Sequence, residues 1–203
     1  MNACLTTLYT PNYKNFAPIA IKSFEKFCER YDFNLTVYDS VFEEERHPSW
    51  NKLFAIQSCF NAYEYVFWCD IDSIYLDNEE NFFSFNNLFH KKFVAYNDGN
   101  GICASHMFIL NNEYNQKLIE TALFLGDVKD NNRFNNPDPK WEQNTFKALL
   151  DHFYLPIEYF PKKTIINYDQ DDFDVNTCFI HYHSISSQER EYRMKKTFDS
   201  FYN

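Results

Sequence analysis

The chain has 203 residues, of which 45% are hydrophobic and 20% aromatic, enough to fill one sizeable core without disulfides or structural metals and too much for a disordered segment. Its formal net charge of -10 argues against a protein that tracks nucleic-acid phosphates with an excess of Lys and Arg, and an anionic ligand would then need a local cation held by carboxylates. With only Gly99, Gly101 and Gly126 as glycines, neither a GxGxxG dinucleotide loop nor a GxxxxGK[ST] phosphate loop can be written.

Ala3 to Tyr9 reads as a first strand, stopped by the turn Thr10-Pro11-Asn12. Ala20, Phe24, Phe27, Cys28 and Tyr31 recur at helical spacing, which predicts a helix over Pro18 to Tyr31 with one buried face. Leu35 to Tyr38 makes a second strand. After the acidic run Glu43 to Glu45, Ser49 is placed to cap a helix with Leu53, Ile56 and Phe60 on one face. That helix leads into Val66-Phe67-Trp68-Cys69, a continuous apolar run of the kind that fits a central strand covered on both sides. Further strands are expected at Phe93 to Tyr96, Met107 to Leu110 and Cys178 to Tyr182, and helices at Glu113 to Leu125 and Trp141 to His152. Gly126 to Lys140, rich in Asn, Asp and Pro, reads as a long loop. The alternation of strand and helix predicts a single α/β domain with a mainly parallel sheet flanked by helices.

The six cysteines form no CxxC pair and most lie in apolar runs, so they read as reduced core residues. No basic region followed by an apolar stretch opens the chain, and no run of 18 apolar residues occurs in it, so the expectation is a soluble cytoplasmic protein with no membrane span and no nucleic-acid partner.

Asp70 and Asp72 stand where the apolar run ends. In an extended segment they would project to one side, and two ionised carboxylates that close together need either a cation or full solvation. The plain alternative is a solvated loop. Against it stands the density of apolar residues on both sides, with Ile74, Tyr75 and Leu76 following at once.

Four ordered segments then carry a resemblance: Ser49 to Asp77 with its Trp, Lys and DxD; GICASHMFILNN; Trp141-Glu142-Gln143; and Phe179-Ile180-His181-Tyr182. Together they resemble glycosyltransferase family 34, with wider likeness to retaining glycogenin-like enzymes of the GT-A fold. The resemblance implies a GT-A domain over residues 1–203, with a nucleotide-sugar-binding half over 1–100 and an acceptor and catalytic half over 101–203. It implies a divalent metal, Mn²⁺ or Mg²⁺, on Asp70, Asp72 and His181; His183 competes for the third place because it lies on the same face of an extended segment, and Ser184 stands where the family pattern has Gly. It implies a UDP-sugar donor contacted by Thr6, Thr7, Tyr9, Lys52, His106 and Arg190, with Arg193 a further candidate for the diphosphate, and a carbohydrate or glycoprotein acceptor. Gln143 would lie near the reacting carbon, and Glu142 would shape the sugar pocket. The compact forms that the chain resembles occur in microbes and large viruses, which for a virus would mean the host cytoplasm.

Two other readings remain. Asp70-Ile71-Asp72-Ser73-Ile74 approximates the nucleophile motif of a haloacid-dehalogenase-type phosphatase, with Lys162 or Lys163 and Asp171-Asp172 as its remaining parts. A sugar-nucleotide-binding domain without catalytic activity is the non-enzymatic alternative.

Overall fold

The computed structural model describes residues 2–78, 87–127, 141–153, 157–168 and 174–202. Its centre is a six-stranded sheet built from β1 (Ala3–Leu8), β2 (Asn34–Tyr38), β3 (Tyr65–Cys69), β5 (Phe93–Asn97), β6 (Ile102–Leu110) and β7 (Glu158–Tyr159), in the order β2-β1-β3-β6-β5-β7. β1 pairs in parallel with β2 and β3, and β5 with β7, whereas β6 runs antiparallel to both β3 and β5. All strands of this sheet except β6 therefore point one way, as the mainly parallel expectation requires. The helices are α1 (Ala17–Tyr31), α2 (Asn51–Cys59), α3 (Glu113–Asp127), α4 (Glu142–Phe153) and α5 (Ser187–Tyr202).

The apolar run of β3 is buried at every position, and its successive side chains enter two different cores. Phe67 and Cys69 face the α1 side, where the Phe27 ring lies 5.4 Å from Phe67, 5.3 Å from Tyr75 and 5.5 Å from Phe179. Val66 and Trp68 face the other layer, among Leu53 and Ile56 of α2, Ile119 of α3 and Phe146 of α4. Full burial of each such side chain stabilises the fold by about 1.5–3 kcal/mol. Covered on both faces, β3 has a fixed backbone, and whatever follows Cys69 starts from a rigid point.

A second sheet of three short strands, β4 (Ser73–Tyr75), β9 (Phe179–His181) and β8 (Ile165–Asn167), lies in that order beside the first. It was not legible in the sequence, because β4 and β8 are too short to show a period. Ser73 pairs with His181 in the β4–β9 ladder, and Asn167 pairs with His181 across β8–β9.

Three local expectations need correction. Ser49 does not cap α2: His47 caps a 3-10 turn over Pro48–Trp50, its Nδ1 accepting from the Ser49 N–H at 3.3 Å, and that turn runs on into the helix. Gly126 belongs to α3 and not to a loop, since a Cβ there would sit 2.5 Å from Cη2 of the buried Trp50 and only glycine lets the helix pass. The rest of the expected long loop, residues 128–140, lies outside the described residues. β6 also begins earlier than expected, at Ile102, because its N-terminal half pairs with β5 past an irregularity at Ala95 and Tyr96.

Candidate active site

Asp70 lies one residue beyond β3, its N–H donating to the Ser105 carbonyl at 2.8 Å. Asp70 to Asp72 is not extended, as the side-chain alternation argument assumed. It is a turn that carries the chain from the first sheet into β4 of the second. Nor is it at a sheet edge, for β3 is central and the two carboxylates stand at its C-terminal end. They converge because the turn is closed from the second sheet: the Tyr182 N–H donates to the Asp72 carbonyl at 2.8 Å.

The same ladder delivers His181. Its Nε2 is 3.4 Å from Asp72 Oδ1 and 3.9 Å from Asp70 Oδ2. On the other side of the ring Nδ1 lies 3.3 Å from Asn167 Oδ1, an atom that only accepts, so Nδ1 donates there and Nε2 is turned to the carboxylates. Burial raises the Asp70 carboxyl above its ordinary range, with Lys52 pulling back and Asp72 adding to the rise. Burial also opposes the Asp72 charge, but His181 and then Arg190 outweigh it and hold that carboxyl low.

Lys52 is buried among these groups. Its Nζ lies 3.0 Å from Asp70 Oδ1, 3.4 Å from Asp70 Oδ2 and 2.9 Å from Glu142 Oε1, and donates to the Ala104 carbonyl at 3.1 Å. Burial works against its charge, yet Asp70 and Glu142 more than compensate and keep the ammonium above the ordinary lysine range. Glu142 opens α4 and is 3% exposed, and its second oxygen, Oε2, has no hydrogen-bond partner among the described residues. Gln143 accepts from the Ala104 N–H through Oε1 at 3.0 Å, which leaves its amide NH₂ as the uncommitted end.

These side chains line one open cavity of ≈ 530 Å³, a size that suits a small-molecule ligand. Lys52, Asp70, Asp72, His181, Glu142 and Gln143 all face it, as does His183, whose ring is 5.1 Å from that of His181. Ser184, which follows, has φ +57°, the left-handed conformation that glycine adopts without strain. The position of the expected glycine is thus structurally real although a serine occupies it. Arg190 reaches Asp72 with Nε at 3.6 Å from Oδ2, while donating from the same atom to the Tyr182 carbonyl at 2.8 Å. Arg193 instead pairs with Glu189 on the exposed face of α5.

Other expected contacts are not brought to the cavity. Thr6 and Thr7 are fully buried inside β1, and Tyr9 packs against the α1-side core; the residues of this segment that line the cavity are Leu8, Thr10 and Tyr13. A strand interior is sandwiched between layers, so only its C-terminal end and the turn after it open outward. His106 is likewise fully buried, its ring 5.2 Å from Phe179, and its neighbour Ser105 takes the lining position. Burial and the nearby His181 push its pKa well below that of an ordinary histidine. Lys162 and Lys163 of the phosphatase reading do not line the cavity, Lys163 pairing with Asp174 at 3.2 Å, and Asp171-Asp172 lie outside the described residues.

One ligand atom from each of Asp70, Asp72 and His181 lies within 4.8 Å of the others. Ligands of an octahedral hard cation, bound at about 2.1–2.2 Å, stand roughly 3.1 Å apart when adjacent and roughly 4.3 Å apart when opposite. The 3.4 and 3.9 Å separations at His181 fall inside that span, and two carboxylate oxygens with one imidazole nitrogen form a donor set for a divalent metal. The residues therefore fit the metal that the sequence motifs implied. Sequence reasoning missed Trp68, Asn167 and Tyr13. Trp68 was within reach of it, standing two residues before Asp70; Asn167 had no signal, because only the β8–β9 ladder sets it against His181.

Comparison with protein-family models and with curated proteins finds no match to this sequence. Solved structures do match. A glycosyltransferase involved in the glycosylation of the major capsid of PBCV-1 superposes with a TM-score of 0.73 at 17% identity, over 95% of this chain and 99% of that one. The galactosyltransferase LgtC, solved with donor and acceptor sugar analogues, matches with a TM-score of 0.59 at 12% identity, over 98% of this chain and 96% of that one. The glycosyltransferase GlyE of Streptococcus pneumoniae TIGR4 matches with a TM-score of 0.55 at 14% identity, over 98% of this chain and 63% of that one. At these identities the shared property is the fold, and the chain has the GT-A architecture. Among the described residues no helix is long and apolar enough to cross a membrane.

Proposed function

We propose that this GT-A chain is a metal-dependent glycosyltransferase that moves a sugar from a nucleoside-diphosphate donor, a UDP-sugar, to a hydroxyl of a glycan or glycoprotein. The observation that carries the reading is the meeting of Asp70, Asp72 and His181 in one cavity with Glu142 and Gln143. Asp70, Asp72 and His181 would hold the metal, and the imidazole beside two carboxylates favours Mn²⁺ over Mg²⁺. When bound, such a cation supplies positive charge to the diphosphate as the sugar–phosphate bond breaks.

The chain's own residues take the other roles. Arg190, which does not line the cavity itself, adds positive charge behind Asp72, toward the diphosphate. Tyr13, on the turn after β1, offers its ring to the nucleobase in place of Tyr9, with Thr10 as a polar neighbour. Glu142 Oε2, buried and unpartnered, accepts from a hydroxyl of the transferred sugar, and the Gln143 amide stands next to it at the reacting carbon. Lys52 does not reach for the donor; it holds Glu142 and Asp70 in place. Residues 1–100 then provide the two aspartates and the nucleotide wall, while 101–203 provide His181 and the sugar wall. Retention of anomeric configuration follows from the resemblance to retaining enzymes and is read by proton NMR of the first product formed.

Calorimetry with UDP, with and without Mn²⁺, tests the proposal, followed by a panel of UDP- and GDP-sugars. UDP should bind only with the metal present, and Asp72→Ala should abolish that binding. No UDP binding in the presence of metal, or equal binding by Asp72→Ala, overturns the reading. Binding of UDP without turnover of any donor would instead favour the non-catalytic alternative, and rapid hydrolysis of p-nitrophenyl phosphate would favour the phosphatase.

A further inference from the structure

The carboxylate of Asp70 is held unevenly. Its Oδ1 accepts from the indole N–H of Trp68 at 2.7 Å, whereas Oδ2 is the oxygen turned toward His181, and Lys52 Nζ sits between the two, 3.0 Å from Oδ1 and 3.4 Å from Oδ2. Trp68 is itself immobile: its backbone pairs with Thr6 of β1 on one side and Met107 of β6 on the other, and its ring is 3% exposed within the α2-side core. An indole N–H only donates, and it spends that donation on Asp70.

We propose that Trp68 is a positioning residue for the metal site: its indole N–H occupies Oδ1 of Asp70 and so turns Oδ2 toward a divalent cation beside His181. The inference rests on the metal-dependent reading above. The terminal torsion of an aspartate is broad and roughly two-fold, so an unheld Asp70 would present either oxygen, or both, at varying angles. The indole removes that freedom before the metal arrives. Lys52 contacts both oxygens of Asp70 and also Glu142, so the carboxylate offered to the metal and the carboxylate facing the sugar share one ammonium as their common support. The position two before the first aspartate thus has a chemical reason to carry tryptophan, since among Phe, Tyr and Trp only the indole brings a ring-embedded donor to a buried strand end.

Manganese affinity of the full chain tests this, measured by the electron paramagnetic resonance signal of unbound Mn²⁺ and by calorimetry, with no donor present. Trp68→Phe should bind Mn²⁺ about tenfold more weakly than the wild type, in line with the loss expected when a group orienting a metal ligand is removed. Phe also leaves space in the core, so a second variant carries 3-benzothienylalanine at position 68, which keeps the bicyclic shape and lacks the N–H. It should show the same loss of affinity with an unchanged thermal midpoint of the metal-free protein. Manganese affinity within twofold of wild type in both variants overturns the inference while leaving the metal site standing. A purely packing role would give that result together with a lowered midpoint for Trp68→Phe. A wild-type chain that binds neither Mn²⁺ nor Mg²⁺ overturns both the inference and the reading beneath it.

Discussion

Removing the Lys52 charge is the sharpest test of how the site is built. In Lys52→Met the methylene stem is roughly kept, but the ammonium that stands 3.0 Å from Asp70 and 2.9 Å from Glu142 is lost. Glu142 is then a buried carboxylate, its side chain 4% exposed, with no counter-ion in contact among the described residues. Breaking a buried pair by deleting one partner costs about 3–5 kcal/mol, against about 0–1 kcal/mol for an exposed pair. For a domain of this size each kcal/mol lowers the thermal midpoint by roughly 2–4 °C, so a fall of roughly 6–20 °C is expected. Urea denaturation followed by circular dichroism measures the loss directly.

The pH dependence supplies a second check. In the wild type the Lys52 pKa is raised, so its contribution is complete below the unfolded value near 10.4 and is lost only as pH rises through the still higher folded value. Between about pH 6 and 9 the wild type should show no loss from this group. In Lys52→Met the Asp70 carboxyl, already raised by burial, loses the charge that was pulling it back. Its folded pKa then lies further above its unfolded one, and stability grows as pH falls through that window. The penalty should therefore shrink toward pH 5, and adding Glu142→Gln to Lys52→Met should restore part of it. A loss below about 1 kcal/mol at pH 7.5, unchanged at pH 5, would refute the assignment of Lys52 as the buried counter-ion of this site.

Tyr13→Ala should weaken UDP binding by roughly tenfold, the order expected for one base-stacking ring, whereas Tyr9→Ala should leave it unchanged; calorimetry in Mn²⁺ discriminates the two. Gly126→Ala should destabilise the fold by about 1–3 kcal/mol in a thermal melt despite the better helix propensity of Ala, because the new methyl meets the buried Trp50 ring. Ser184→Gly should raise stability by about 0.5–1 kcal/mol, since the position has φ +57°. A thiol assay with Ellman's reagent should find no fast-reacting cysteine in the native chain and six after unfolding, as all six are buried free thiols.

Local pattern determined much of this protein. The alternating order of strands and helices, the burial of β3 on both faces, and the placement of Asp70, Asp72, Glu142 and Gln143 on element ends all follow from periods and motifs spanning a dozen residues or fewer. Those signals are written into neighbouring residues because a strand or helix is itself a neighbourly structure. The tertiary structure decided what meets what. That Asp70-Ile71-Asp72 is a turn between two sheets depends on β4, three residues long, finding β9 more than a hundred positions later. That His181 rather than His183 faces both aspartates depends on its register opposite Ser73 and Asn167. That the cavity wall after β1 falls to Leu8, Thr10 and Tyr13 depends on which part of β1 the helices cover. Ladder register and layer packing are long-range choices, fixed by the burial of whole faces at once, and a single chain position carries no mark of the partner that burial will bring to it.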